Sequence, residues 1–149
     1  MRGYPDRRMR RLRRTEAVRS MVRETRLSPG RLVLPQFVMD GKGKTEPISA
    51  MPGRARMSVD RTIDECKRAM DLGVSAFALF PLIEPGLKTG DGREAYNSDN
   101  LLCRAVAAIK EVLPEACVIT DVALDPYSSV GHDGIVRGGK IVNYETVEV

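Results

Sequence analysis

Apolar and polar positions alternate along the chain in blocks of element length. "RLVLPQFVM" (31–39) is an apolar run that predicts a strand. "DGKGKTEPISAMPGRARM" (40–57) is rich in glycine and proline and reads as a long loop. From Ser58 the spacing changes to that of a helix, with Val59, Ile63, Cys66 and Met70 on one face. Ser58 stands at the cap, Asp60 in the first turn and Gly73 just past the end, as the end rules prefer. "VSAFALF" (74–80) is apolar everywhere but Ser75, the pattern of a strand buried on both faces. A second long loop, "PLIEPGLKTGDGREAYN" (81–97), leads to a helix starting at Ser98 or Asp99. Leu101, Leu102, Ala105, Val106, Ile109, Val112 and Leu113 are its expected inward positions, with Pro114 beyond. "CVITDVAL" (117–124) predicts a third strand. "GIVRGGKIVNYETVEV" (134–149) predicts a hairpin turning at Gly138–Gly139 and a fourth helix opening at Thr146.

The order is β-α-β-α-β, with strand starts near 32, 74 and 117. Right-handed helical crossovers between parallel strands follow from that order. The pattern fits an open doubly wound sheet and the start of a β/α barrel equally well. In either architecture ligands gather at the carboxyl ends of the strands. "DVALDPYSSVGHDG" (121–134) falls there and packs three carboxylates, one histidine, one proline and two glycines into fourteen residues. A strand-to-helix loop also uses Asp, Ser and Gly for turn geometry alone, so its chemistry has to decide.

Charge adds a second feature. Residues 1–31 hold eleven arginines against Asp6, Glu16 and Glu24, a balance of +8, while the other 118 residues carry −4. A basic arm therefore precedes a mildly acidic body. Phosphates or carboxylates would both suit its guanidinium groups. Met9, Leu12, Val18, Met21 and Val22 lie among the arginines, which favours packing against a subunit over binding nucleic acid. The rival is a nucleic-acid-binding or assembly module without enzymatic activity. No apolar run reaches the ~20 residues of a membrane span, and the arginine-rich start lacks a secretory core, so a cytoplasmic protein with no membrane partner is expected. Cys66, Cys103 and Cys117 are far apart and read as free thiols.

Within 121–134, Asp125 and Asp133 are eight residues apart, so a folded-back loop could bring both carboxylates to one centre. Oxygen ligands suit a hard ion such as Mg²⁺, or could hold a substrate ammonium group. Asp121 at the strand end is a weaker candidate. His132 is a ligand, a base or a turn residue. Ser128 and Ser129 lack a nucleophile elbow, and the glycines match neither a phosphate loop nor a dinucleotide fingerprint.

The arm "RRMRRLRRTEAVRSMVRETRLSPGRLVLPQFVMDG", the loop "ISAMPGRARMSVD", the strand "FALFP", "REAYN" and "ITDVALDPYSSVGHDGIV" occur in the order and spacing of one family. From about Arg8 onward the chain resembles porphobilinogen synthase, also called 5-aminolevulinate dehydratase. The resemblance implies the N-terminal part of a (β/α)₈ TIM barrel over residues 32–149, about three β/α units, preceded by an extended or helical arm (1–31) that packs on a neighbouring subunit in a homo-octamer. It also implies condensation of two 5-aminolevulinate molecules to porphobilinogen, in haem synthesis, with no nucleic-acid partner.

Zinc-dependent members of that family carry three cysteines at the positions of Ala123, Asp125 and Asp133. This chain resembles the zinc-independent branch, so no catalytic zinc is expected, and Mg²⁺ is implied with a ligand beyond residue 149. Asp125 and Asp133 would then neighbour an ion or hold the amino group of the second substrate, with Ser129 and His132 contacting substrate or lid. The family's two Schiff-base lysines lie later in the barrel. None of Lys42, Lys44, Lys67, Lys88, Lys110 and Lys140 matches their motifs. A fragment or truncated product, inactive alone, is the expectation. Tyr144 stands where members carry aspartate, which puts the local turn in question.

Overall fold

The structure, a computed structural model, describes residues 3, 5, 6, 8 and 10–149. Arg2, Arg7 and Met9 of the arm lie outside the described residues. The arm contains a 3₁₀ turn (Arg11–Arg13), helix α1 (Glu16–Val22) and a second 3₁₀ turn (Pro29–Arg31), none with a buried residue. Thr15 caps α1 by accepting from Val18 N at 3.2 Å. Glu16 pairs with Arg19 at 2.8 Å and with Arg23 at 3.3 Å. Without a buried face, α1 rests on its cap and these exposed ion pairs, each worth only ~0.5 kcal/mol.

The body is a five-stranded sheet in the order β2-β3-β1-β4-β5. Its strands are β1 (Val33–Met39), β2 (Thr45–Pro47), β3 (Ala55–Ser58), β4 (Ala76–Pro81) and β5 (Cys117–Thr120). β3, β1, β4 and β5 are parallel, and β2 pairs antiparallel with β3. Helices α2 (Val59–Asp71) and α3 (Leu101–Val112) cover one face. The arrangement is an α/β arc, the N-terminal part of a TIM barrel, in which α2 leads from β3 back to β4 and α3 makes the crossover from β4 to β5.

Alternation sorts each strand. Val38, Phe77 and Leu79 point to the helices and meet Cys66, Ala69, Leu101, Ala105 and Ile109 in a buried core. Gln36 is on that same face, and its side-chain amide has no hydrogen-bond partner among the described residues. On the other face Phe37 and Phe80 stack, ring centroids 5.7 Å apart. Phe80 remains 40% exposed there and Ile119 43%. The expectation that 74–80 is buried on both faces therefore fails on the inner face, because no described residue covers it.

Residues 40–57 are not wholly loop, since β2 and β3 form a short hairpin within them. Neither has the apolar alternation that marks a strand, and β3 forms because the end of β1 offers a free edge. Pro35 can give β1 no N–H, and its carbonyl accepts from the Arg54 guanidinium.

Ser58 sits at the cap position of α2, yet its hydroxyl does not cap the helix. It accepts from Lys44 N at 2.9 Å and donates to Asp60 at 2.6 Å, while Asp60 accepts from Gly43 N. The α2 stripe centres on Thr62, Cys66 and Ala69, with Val59, Ile63 and Met70 flanking. Gly73 ends the helix at φ +87, where a side chain would be strained and would press on Pro29. The α3 cap is Asn100, not Ser98 or Asp99, because its side chain is the one that accepts from Cys103 N, at 2.8 Å. Val112 is 44% exposed, beyond the edge of the α3 stripe.

β5 stops at Thr120 instead of running to 124, since its ladder to β4 ends at the Leu79–Thr120 pair. Strands β6 (Val136–Arg137) and β7 (Lys140–Ile141) make the expected hairpin, with Gly138 and Gly139 both at positive φ. Helix α4 (Asn143–Val147) begins at Asn143, before Thr146. Thr146 is inside α4 and ties it back, its hydroxyl accepting from Ile135 N at 2.9 Å and donating to Val142 O at 2.7 Å. Tyr144 is 86% exposed within α4.

Candidate functional site

The loop after β5 is folded back on itself. The Asp133 carboxylate accepts from the backbone N–H of Leu124 at 2.8 Å and of Asp125 at 3.0 Å, closing eight residues of loop. Inside it a tight turn brings Tyr127 N and Ser128 N to Leu124 O, at 3.0 and 2.9 Å. Tyr127 and Ser128 are buried and anchor the turn, while Ser128 Oγ accepts from Val130 N.

A second segment fastens the loop from outside. Thr89 N donates to Tyr127 O at 3.2 Å, and Ser129 N donates to Thr89 O at 3.0 Å. The Thr89 hydroxyl in turn donates to Asp91 at 2.5 Å and accepts from Arg93 N at 3.1 Å. The two long loops are thus one construction.

The two carboxylates of the pair are not equivalent. Backbone N–H donors hold the Asp133 carboxyl below the usual carboxylate range. Asp125 is pushed up, first by desolvation, then by the negative charge and hydrogen bonding of Asp133, with a smaller push from Asp121. Asp133 is therefore the persistent anion, and Asp125 is the member that more readily holds a proton.

Two cavities open beside this pair. One, of about 580 Å³, is lined by Asp121, Ala123, Leu124 and Asp133 together with Cys103, Tyr127 and Thr146. The other, of about 220 Å³, is lined by Phe80, Pro81, Asp121, Asp125 and Pro126 among others. Asp121 borders both, so the weaker candidate of the sequence occupies the junction. Ser129 and His132 are exposed and border neither cavity. The structure brings Asp121, Asp125 and Asp133 together and leaves Ser129 and His132 outside. Thr89 lies in no motif and Tyr127 falls inside 121–134 without having been singled out, and only the glycine-flanked "KTGDG" (88–92) hinted that the second loop has defined turns.

Among the described residues, no three His, Cys, Asp or Glu side chains converge as a metal cage. Cys66 is buried, its thiol pushed up to about 12 by desolvation, while Cys103 and Cys117 are exposed. The donor set by the loop is two carboxylates, one already holding two N–H groups. That suits an ammonium ion, or an Mg²⁺ ion keeping most of its water, better than a chelated metal. No lysine lines either cavity.

The profile of the family "Delta-aminolevulinic acid dehydratase" matches residues 6–149. The protein of that name from Bradyrhizobium diazoefficiens is 49% identical over 142 residues, covering 95% of this chain and 40% of its own length. The Rhodobacter capsulatus protein is 42% identical over 145 residues, covering 97% and 44%. A crystal structure of porphobilinogen synthase from Toxoplasma gondii, in complex with the reaction product porphobilinogen, superposes with a TM-score of 0.89. It is 43% identical and matches 99% of this chain and 41% of that one. The chain spans about two fifths of the length of these relatives. With a family match over nearly all its residues and the same backbone arrangement, the chain belongs to the delta-aminolevulinic acid dehydratase family.

Proposed function

We propose that the chain supplies the amino-group end of a porphobilinogen-forming site, in an enzyme that condenses two 5-aminolevulinate molecules with loss of water. The observation that carries this reading is the closed loop 121–134, which sets Asp125 against Asp133 where two cavities meet. Asp133, kept ionised by its N–H donors, attracts and orients a substrate ammonium group. Asp125 has the raised proton affinity suited to take the proton which that nitrogen must lose before it acts as a nucleophile. Asp121 borders both cavities and adds negative charge to each.

Covalent catalysis by lysine has no source in the cavity linings of this chain. The reading therefore assigns it binding and orientation, with Schiff-base chemistry supplied by other residues of a whole enzyme. The same reading makes that enzyme a cytoplasmic lyase of tetrapyrrole synthesis. It assembles as a homo-octamer through the arm 1–31 ahead of the barrel units in 32–149. The arm's exposed Leu12 and Met21 support that assignment, because a purely electrostatic arm has no use for them. Mg²⁺, when bound, neutralises anionic charge, and Asp125 with Asp133 would hold it through water. Ser129 and His132, exposed on the loop, are left a lid role.

A chimera tests the reading. Residues 6–149 replace the matching segment of the Bradyrhizobium diazoefficiens relative, and porphobilinogen is assayed. The chimera is expected to turn over, with Asp125→Asn and Asp133→Asn each lowering kcat at least about 100-fold. Turnover unchanged in both variants would remove the pair from the chemistry. The 149-residue chain alone is expected to form none.

A further inference from the structure

Beyond the aspartate pair, Ile135, Val142 and Thr146 close on one another in a ring of hydrogen bonds. Ile135 O accepts from Val142 N at 2.8 Å, and Val142 O accepts from Thr146 N at 3.1 Å. The Thr146 hydroxyl also donates to Val142 O, at 2.7 Å, and accepts from Ile135 N at 2.9 Å. The ring ties the start of the hairpin to α4, and Arg137 of β6 adds an exposed ion pair to Glu145 at 3.1 Å. Apart from the two bonds of Thr146 Oγ1, the ring is made by backbone atoms common to nearly any residue. Thr146 is therefore the position where residue type decides whether the ring closes.

The ring sits directly against the aspartate loop. Ile135 is buried and has both backbone groups tied into the ring, two residues after Asp133. Gly134, between them, is buried with no room for a side chain. A Cβ there would stand 2.6 Å from Ile141 Cγ2 and 3.1 Å from Thr146 Oγ1, and the β-branched Ile141 yields little. Thr146 also borders the larger cavity together with Asp133. Five residues of helix have too few internal bonds to persist alone, so α4 and the loop depend on the same closure. Asp133 is thus fixed by the Leu124 and Asp125 amides on one side and by the ring on the other.

We propose that Thr146 is a positioning residue of this site, its hydroxyl locking Gly134 and Ile135 so that the Asp133 carboxylate stays on its two amides and faces the substrate amino group. This rests on the reading of the aspartate pair as an ammonium site and adds what keeps the pair in place. Without the hydroxyl, Ile135 N loses its acceptor, and a buried N–H left unpaired drives a local rearrangement that lets water reach it. Asp133 moves with the freed segment. A shift of about 1 Å in a group that orients substrate costs far more in rate than in stability.

Amide hydrogen exchange in the ligand-free, ¹⁵N-labelled 149-residue chain tests the hold on Asp133. Thr146→Val is expected to speed exchange at Leu124 and Asp125 about tenfold or more, while the core amides of Ala105 and Ile109 keep their rates. Thr146→Ser, which keeps the hydroxyl, should stay within about threefold of wild type. Gly134→Ala presses the ring off the loop with the hydroxyl intact, and gives the same comparison should Thr146→Val fail to fold. The proposal is overturned if the two amides are unprotected in wild type or keep their protection in Thr146→Val. It is also overturned if they loosen only in step with Ala105 and Ile109, which marks a role in stability alone, or if Thr146→Ser behaves as Thr146→Val. In the chimera, Thr146→Val is expected to lower kcat about tenfold or more and Thr146→Ser to restore it. If the amides loosen while the chimera turns over as before, the ammonium reading of the aspartates fails and the hold on Asp133 stands.

Discussion

At the residue scale, the site depends on one asymmetry within a pair of carboxyls. Two N–H donors fix Asp133 as an anion, and that anion, after burial, raises the proton affinity of Asp125. In an NMR pH titration Asp125 should therefore titrate well above Asp133. Asp133→Asn removes the neighbouring charge, so Asp125 should move back toward the ordinary carboxylate value of about 3.9. The linkage runs in opposite directions for the two. Asp133, lowered on folding, stabilises above its unfolded pKa, and that contribution is lost as pH falls through its folded value. Asp125, raised on folding, costs stability as pH rises through its folded value. Thiols give an independent check on burial. Cys103 and Cys117 should react with a maleimide in the native chain, and Cys66, held neutral by desolvation to about 12, only after unfolding.

At the element scale, α3 joins the core to the site. Ile109 is fully buried in the core, so Ile109→Ala should cost about 2–5 kcal/mol in denaturant unfolding. Asn100→Ala removes the α3 cap and its bonds to Glu94 O and Ala95 O, and about 1 kcal/mol should go with the cap alone. These elements also show what was legible in the residues. Leu101, Ala105 and Ile109 repeat at helical spacing and are buried as that spacing demands. Phe77 and Leu79 follow strand alternation. The β2–β3 hairpin was not legible, because "TEP" and "ARMS" are held by the edge of β1 and not by any pattern of their own. The Asp125–Asp133 pairing was legible in outline from spacing and a flexible loop. The Thr89 fastening was not, since it is made by backbone atoms whose partners lie some forty residues on.

At the scale of the whole molecule, the sheet is covered on its helix side and open on the other. Val33, Phe80 and Ile119 are each at least 40% exposed there, and among the described residues β5 pairs only with β4. Exposed apolar area beside a free parallel edge promotes association. The 149-residue chain should sediment above its monomer mass of 16.5 kDa, and Ile119→Lys should shift it toward monomer. The proposed function turns on the aspartate loop receiving a substrate amino group. Its most direct test is titration of 5-aminolevulinate into the ¹⁵N-labelled chain. Shifts are expected at the Leu124 and Asp125 amides that hydrogen-bond Asp133, with their loss in Asp125→Asn and Asp133→Asn. Shifts that leave those two amides still, or that persist in both variants, would contradict it.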